Sequence, residues 1–162
     1  MKITLEIPPA KEDLATLRQG LKDHGSTIVG ETWIKDLAYF LRDDEGTVRG
    51  GVFGNCGSFG WCYVDTLWVD EALRGQGYGA QLMNAIETEA LAHSCTHVYL
   101  STFSFQAGEF YKHLGYTEFG RLQDFPPPHS RLFLKKDLTG AQSSPLASSP
   151  TTKNETLATD KH

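Results

Sequence analysis

RGQGYG, residues 74–79, lies between a strand-like run at residues 63–69, YVDTLWV, and a segment with helical spacing at residues 80–93, AQLMNAIETEALAH. Glycine at every second position, together with an arginine, is unusual in a connection of this kind. The glycines allow backbone N–H groups to approach an anion closely, the following helix adds a partial positive charge, and Arg74 adds a full one. The residues therefore indicate a pyrophosphate site, although a glycine-rich connection without a ligand would have the same composition.

Two other phosphate-binding patterns fit this turn less well. A Walker-type loop requires Lys and Ser or Thr directly after its second glycine, whereas Gly79 is followed by Ala-Gln. The dinucleotide pattern GxGxxG/A is met by Gly75, Gly77 and Ala80, but the next strand, residues 97–103, ends in LSTF without the acidic residue that would hold a ribose. A dinucleotide-dependent enzyme is therefore disfavoured.

Hydrophobic spacing predicts ten elements in the order β-α-β-β-β-α-β-α-β-β. The first strand is expected at residues 2–7, KITLEI, and the first helix at residues 10–25, with Gly25 as its stop. Further strands are expected around a turn at DDEG and at residues 60–69, 97–103, 116–122 and 131–136, with helices at residues 80–93 and 106–115. This order predicts an α+β fold with a mixed, mostly antiparallel sheet of six or seven strands and flanking helices.

Composition predicts one domain over residues 1–138, because 40% of the 162 residues are apolar and can form a real core. Residues 139–162 are rich in Ser, Thr and Pro without apolar periodicity, and we expect a disordered tail there. A net charge of −5 disfavours nucleic acid as a partner. We expect no membrane partner and a cytoplasmic location, since neither a long apolar run nor a signal-peptide pattern is present.

Two segments resemble the signatures of the GNAT superfamily of N-acetyltransferases. Residues 74–79 match its Arg/Gln-x-x-Gly-x-Gly/Ala pattern, within a longer resemblance over residues 67–83. Residues 103–120, FSFQAGEFYKHLGYTEFG, resemble its second signature, a helix with Phe-Tyr followed by Gly-Tyr. The chain looks like a small single-domain bacterial member, which implies that the strand before the glycine turn and the strand HVYLSTF splay apart around the cofactor.

The resemblance implies acetyl-CoA as co-substrate and no metal. The turn would bind the pyrophosphate, and the main chain around Leu67 and Val69 would pair with the pantetheine arm. Ser104 stands where many family members have an asparagine that contacts the cofactor. The cofactor-binding residues so implied are Leu67, Val69, Arg74, Gly75, Gln76, Gly77, Tyr78, Gly79 and Ser104.

The resemblance also assigns a proton donor. Tyr111 matches the family tyrosine that protonates the departing CoA thiolate, and a phenol is protonated at neutral pH. Packing beside Phe110 is the purely structural interpretation of the same residue.

Asp65 is our candidate for the carboxylate that accepts the acceptor's proton. It alternates with Tyr63, Leu67 and Val69, so we expect all four on one face of the strand. A surface or salt-bridged aspartate is the competing interpretation.

Other residues could serve on the acceptor side. Glu31 lies on the loop where the family usually forms its acceptor wall, and His129, in the loop PPPHS, is another candidate base. Trp33 is a candidate for lining the acceptor pocket.

We therefore expect direct acetyl transfer from acetyl-CoA to a primary amine, with a small cationic metabolite or drug-like molecule as acceptor. A protein acceptor, either a lysine side chain or an N-terminus, is one alternative. A non-catalytic acyl-CoA sensor is another, and a homodimer is left open because nothing in the sequence selects a surface.

Overall fold

The computed structural model describes residues 1–140. These residues form six strands and three helices, with a 3-10 turn at Glu71–Leu73. The strands are β1 (Ile34–Arg42), β2 (Val48–Gly57), β3 (Trp61–Val69), β4 (His97–Phe103), β5 (Thr117–Leu122) and β6 (Arg131–Asp137), and the helices are α1 (Lys11–Val29), α2 (Tyr78–Ala92) and α3 (Gly108–His113). The sheet order is β1-β2-β3-β4-β6-β5; β3 and β4 are parallel and every other pair is antiparallel. The predicted α+β fold with a mixed, mostly antiparallel sheet is confirmed.

The core lies between α2 and one face of the sheet. Met83, Ile86 and Ala90 follow each other at helical spacing and are almost fully buried, as the sequence predicts for this helix. They belong to the same buried cluster as Val52, Val64, Val98 and Leu100 from the three central strands. This packing fixes the position of α2, and with it the turn that precedes α2.

The parallel pairing between β3 and β4 covers only part of their length. It runs from Trp61 opposite His97 to Val64 opposite Leu100. Beyond these residues β3 continues to Val69 and β4 to Phe103, but the two strands are no longer paired with each other. The splayed strands that the resemblance implies are therefore present.

A β-bulge interrupts β3 at Asp65. Val64 pairs with Gly54 and Thr66 with Phe53, so Asp65 is an extra residue with no partner of its own on β2. Past the bulge Leu67 packs towards the core, opposite buried Val52, whereas Tyr63 lies on the other face. The expectation that Asp65, Tyr63, Leu67 and Val69 share one face is wrong for this reason.

The N-terminal segment differs from its prediction. Residues 2–7 are exposed and form no strand, and α1 runs through the expected stop at Gly25 to end at Val29, before Gly30 with φ 73°. No residue of α1 is buried. We call residues 1–29 the N-terminal arm. No helix among residues 1–140 is long and apolar enough to cross a membrane.

The sheet face opposite α2 carries several large side chains with substantial exposure. We call it the open face, defined by Ile34, Phe40, Phe53, Trp61, Tyr63, Trp68 and Tyr99. At the other end of the chain, Leu138 packs against the core, and the predicted tail from residue 141 onward lies outside the described residues.

Candidate functional site

The glycine turn has the backbone that its sequence requires. Gly75 and Gly77 have φ values of 74° and 86°, a region that residues with a Cβ rarely adopt. Gly77 is the N-cap of α2 and supplies no side-chain hydrogen bond to the helix, so the first N–H groups of α2 are left without a capping side chain. The Arg74 Nε donates to the Val69 carbonyl oxygen at 3.0 Å, which ties the turn to the end of β3.

A cavity of about 370 Å³, the turn cavity, opens beside this turn. It is lined by Leu67, Trp68, Val69, Leu73, Arg74, Gly75, Gly77, Tyr78, Gly79, Ala80, Ala107 and Phe110. Of the residues predicted to bind the cofactor, only Gln76 and Ser104 do not line it. The Gln76 amide donates to the Ala72 carbonyl oxygen at 3.1 Å, and the Ser104 hydroxyl accepts from the Ser130 backbone N–H at 3.1 Å.

A second cavity of about 300 Å³, the central cavity, occupies the gap between the unpaired ends of β3 and β4. Its lining is mainly polar and consists of Tyr63, Asp65, Thr66, Leu67, Ser101, Thr102, Phe103, Gln106, Tyr111 and Arg131. The structure thus brings Asp65 and Tyr111 to the same cavity although they are far apart in sequence. Leu67 lines both this cavity and the turn cavity, so the two adjoin.

A third cavity of about 190 Å³, the aromatic cavity, lies further along β3. Its lining includes Trp33, Trp61, Tyr63 and Tyr99, and Tyr63 is shared with the central cavity. The Tyr63 and Tyr99 rings lie 4.9 Å apart between centroids. Aromatic faces of this kind attract an organic cation.

Two predicted acceptor-side residues lie outside these cavities. Glu31 is exposed on the segment before β1 and lines none of the three. The His129 ring packs edge-on against Phe105, with centroids 4.8 Å apart, and lines none of them either. Of the three residues predicted on the acceptor side, Trp33 alone lines one of these cavities, the aromatic cavity.

Tyr111 projects from α3 into a largely apolar environment and is only 7% exposed. Its ring lies between Phe110, at 5.1 Å, and Tyr116, at 5.7 Å. Burial raises the pKa of Tyr111 to about 12, because the charged phenolate is poorly solvated there. At neutral pH this hydroxyl can therefore act as a proton donor.

Tyr116, beside Tyr111, is fixed by a buried carboxylate. Its hydroxyl donates to Glu87 Oε1 at 2.7 Å, and the Lys136 ammonium donates to Glu87 Oε2 at 2.6 Å. Burial and the Glu87 carboxylate raise the pKa of Tyr116. The arrangement ties β6 and the segment that follows α3 to α2.

Arg131 is a site residue that the sequence analysis missed. Its Nε and Nη2 both donate to the Ser101 hydroxyl, at 3.1 and 2.8 Å, and its guanidinium carbon lies 5.8 Å from the centroids of three phenylalanine rings. The register that places it opposite Phe103 joins strands far apart in sequence. The only sequence feature that could have indicated its role is its position as the first residue of the last predicted strand.

Within residues 1–140 no three His, Cys, Asp or Glu side chains lie close enough together to hold a metal ion. The three cysteines are buried, free thiols. Burial is the main cause that raises the pKa of Cys62, to about 11, and it also raises the pKa of Cys56. Neither is therefore a thiolate at neutral pH.

Known proteins resemble this chain over most of its length. The model of the acetyltransferase (GNAT) family matches residues 10–116. An acetyltransferase of Agrobacterium fabrum is 33% identical over 120 residues, covering 74% of this chain and 87% of that protein. A blasticidin-S acetyltransferase of Streptomyces morookaense is 34% identical over 102 residues, covering 62% of this chain and 74% of that protein. The crystal structure of an acetyltransferase from Bacillus cereus matches with a TM-score of 0.78 and 33% identity, covering 85% of this chain and 98% of that one.

Substitution of Tyr111 by phenylalanine should change how stability depends on alkaline pH. Between about pH 10 and the native pKa of about 12, unfolded Tyr111 releases its proton while folded Tyr111 keeps it. The folded state then binds more protons, so the free energy of unfolding falls as pH rises, by about 1.4 kcal/mol per pH unit from this group. Urea unfolding at several pH values in this range should give a shallower decline for Tyr111→Phe. Parallel curves for the two proteins would contradict the assigned burial.

Proposed function

This chain belongs to the GNAT acetyltransferase family, and from that premise we propose that it transfers an acetyl group from acetyl-CoA directly to a primary amine of a small cationic or drug-like molecule. The observation that carries the proposal is the shared cavity of Asp65 and Tyr111, which adjoins the turn cavity at Leu67. In this proposal Asp65 would accept a proton and Tyr111 would donate one, beside the point where an acetyl group would enter.

The turn cavity supports a binding mode for acetyl-CoA. The backbone N–H groups from Arg74 to Gly79 would hold the pyrophosphate at the N-terminus of α2, where the helix dipole is favourable. The pantetheine arm would lie in the gap between β3 and β4. Leu67 and Val69 have no partner on β4 there, so the main-chain groups of Leu67 and the N–H of Val69 could pair with the amides of the arm, while the Val69 carbonyl accepts from Arg74.

Asp65 is the proposed general base, which would accept a proton from the ammonium group of the acceptor. An alkyl ammonium with a pKa of about 10.4 is neutral in only about one molecule in 2,500 at pH 7, a penalty of roughly 4.6 kcal/mol. A carboxylate attracts the cation and accepts its proton as the nitrogen attacks the thioester. The bulge favours this role, because it leaves Asp65 without a partner on β2, and among the described residues only Thr66 donates a side-chain hydrogen bond to it.

Tyr111 is the proposed general acid for the leaving group. As the C–S bond of the thioester breaks, the CoA thiolate needs a proton, which the Tyr111 hydroxyl would donate. Its raised pKa keeps the hydroxyl protonated throughout the neutral range. A general acid of this kind typically contributes about 10²- to 10⁴-fold to the rate.

Direct transfer fits the lining of the central cavity better than an acetyl-enzyme intermediate. Neither cysteine nor histidine lines this cavity. The nearby Cys62 is fully buried and its thiol is protonated at neutral pH. The hydroxyls of Thr66, Ser101 and Thr102 have no histidine beside them in the lining to activate them.

The acceptor would approach from the aromatic cavity. Trp33, Trp61 and Tyr99 give this cavity electron-rich faces that suit a cationic amine. Tyr63 lines both this cavity and the central cavity, where Asp65 lies. The name of the Streptomyces relative, a blasticidin-S acetyltransferase, supports a small drug-like acceptor.

The first test concerns the turn. Gly77→Ile should abolish acetyl-CoA binding measured by calorimetry, because a branched side chain would project where the pyrophosphate is expected. Gly46→Ile is the matched control, since Gly46 has nearly the same φ, 83° against 86°, and lies in the β1–β2 turn. Both variants carry the same backbone strain, so only Gly77→Ile should lose the ligand. Equal affinities for both would contradict the assigned site.

The second test concerns catalysis. We expect acetyl-CoA-dependent thiol release with a panel of amines, polyamines, aminoglycosides and lysine peptides, and a loss of at least 100-fold in kcat for Tyr111→Phe. Activity confined to lysine peptides would instead support a protein acceptor. Tight binding of acetyl-CoA with no turnover of any amine would support a cofactor sensor and contradict the proposed reaction.

A further inference from the structure

The central cavity contains two opposite charges that do not pair with each other. Within residues 1–140 neither Asp65 nor Arg131 takes part in an ion pair, although both line this cavity. The Arg131 guanidinium instead donates twice to the Ser101 hydroxyl. Arg131 is half-buried, and a partly buried cation without a counter-charge is well placed to bind an anion that a ligand supplies.

The strand order keeps these charges apart. Asp65 belongs to β3 and Arg131 to β6, and β4 lies between those strands. Adjacent strands lie about 4.8 Å apart, so the two backbones are separated by at least about 10 Å, and by more where β3 splays away. A small molecule can bridge such a distance with one group at each end.

The chemistry of Arg131 identifies the second group. Guanidinium is a planar fork that binds carboxylates through two parallel hydrogen bonds, and Ser101 occupies only the N–H groups on one side of it. The guanidinium carbon also lies 5.8 Å from the ring centroids of Phe103, Phe125 and Phe133, and these contacts help to hold it in place.

We propose that the acceptor carries a carboxylate in addition to its amine, and that Arg131 binds this carboxylate while Asp65 holds the ammonium. The inference rests on the proposed function and narrows its acceptor to zwitterionic amines, such as amino acids and molecules built from them. Arg131 is then the residue that determines specificity for the acceptor.

The test uses matched amines that differ only in the carboxylate: lysine with cadaverine, and arginine with agmatine. In the wild type we expect kcat/KM to favour the carboxylate-bearing member by about 10- to 100-fold, the range expected for a hydrogen-bonded charge pair. Arg131→Met should reduce this ratio to about one and leave acetyl-CoA binding unchanged. Arg121→Met is the matched control, because Arg121 pairs with Glu118 and does not line the cavity.

The outcomes separate the two proposals. If amines are acetylated without a preference for the carboxylate, or if the preference survives in Arg131→Met, the acceptor class is wrong and the acetyltransferase function stands. If acetyl-CoA binds and none of these amines nor any in the wider panel is acetylated, the proposed function itself fails.

A second inference comes from the N-terminal arm. Leu17, Leu21 and Ile28 lie on one face of α1 and are 71%, 74% and 74% exposed. The apolar side chains of residues 3–7 alternate as in a strand and are exposed as well. The arm therefore presents an apolar helix face and a strand pattern, both without a partner.

A solitary arm of this kind is not a stable structure. Gly20 and Gly25 lie inside α1 and weaken it, since glycine in a helix interior costs about 1 kcal/mol relative to alanine. Most helices in proteins depend on packing of an apolar face. Formation of α1 therefore requires a surface that covers it.

The remainder of the molecule offers two matching surfaces. β1 is an edge strand, so one row of its backbone groups can pair with an added strand. The open face exposes Phe40, Phe53 and Trp68. A helix of the length of α1 extends over about 28 Å, close to the length of a nine-residue strand such as β1, so α1 can lie along the β1 side of the open face, beside Phe40 and Phe53, without covering Tyr63 and Tyr99.

The connection to β1 favours a second copy as the occupant. The Trp33 N–H donates to the Ser58 hydroxyl at 2.7 Å, and the Ser58 N–H donates to the Trp33 carbonyl at 3.2 Å. Only residues 30–32 connect α1 to this anchored start of β1, and short hinges of this kind favour exchange between copies. The match with the Bacillus cereus structure covers 85% of this chain. Residues 31–162 make up a smaller share than that, so the match includes part of the arm.

We infer that two copies exchange their arms: residues 2–7 pair with the β1 edge of the partner, and α1 packs on the β1 side of the partner's open face, at Phe40 and Phe53. Sedimentation velocity over a wide concentration range should give a dimer for the full chain and a monomer for Leu17→Asp. Leu91→Asp is the matched control, because Leu91 is an exposed leucine near the end of α2 and should leave the dimer intact.

Hydrogen exchange on the unaltered chain provides the second measurement. The amides of α1 and of residues 3–7 should be protected at high concentration and lose protection as the dimer dissociates. A monomer at all concentrations, a dimer that survives Leu17→Asp, or protection that does not depend on concentration would overturn the exchange. The last result would mean that the arm packs on its own chain.

Discussion

The separation of β3 from β4 beyond Val64 and Leu100 is the constraint on which the site depends. Up to that pair both strands contribute buried side chains to the core under α2, so the parallel ladder is held closed. Gly54 makes the close packing beside the bulge possible, because an added Cβ there would overlap the Tyr63 carbonyl oxygen and crowd Ile86. Beyond the bulge β3 follows a different direction, and the central cavity occupies the space that a continued ladder would have filled.

The position of Tyr111 on α3 depends on α2, the helix that begins at the glycine turn. α3 has only six residues and would not be stable alone, so its orientation depends on contacts with the rest of the chain. One anchor lies just after α3, where Tyr116 donates to the buried carboxylate of Glu87 on α2, which also accepts from Lys136. Loss of either donor would leave a buried charge partly unpaired, which is costly, so the network favours a single arrangement. α2 thus positions the turn at its N-terminus and, through Tyr116, the hydroxyl of Tyr111.

Local features were predictable from the sequence and long-range pairing was not. The glycine turn, the buried face of α2 and most strands follow from residue type and spacing within short windows. Residues 2–7 have strand alternation too, but alternation becomes a strand only where an edge accepts it, and the single chain forms no such pair. The bulge at Asp65 depends on the partner strand, which is why its neighbours were assigned to one face. Arg131 reaches the cavity through the β4–β6 register, which spacing within β6 does not encode.

Ser101 has a particular position among the polar groups of the cavity. It lies on β4, between the strands of Asp65 and Arg131, and its hydroxyl accepts both hydrogen bonds from the guanidinium. These bonds and the surrounding phenylalanine rings hold Arg131 on its own side of the gap. An ion pair across the cavity would neutralise the carboxylate that is needed to attract an ammonium. By holding the arginine back, Ser101 leaves both charges available to the two ends of an incoming molecule.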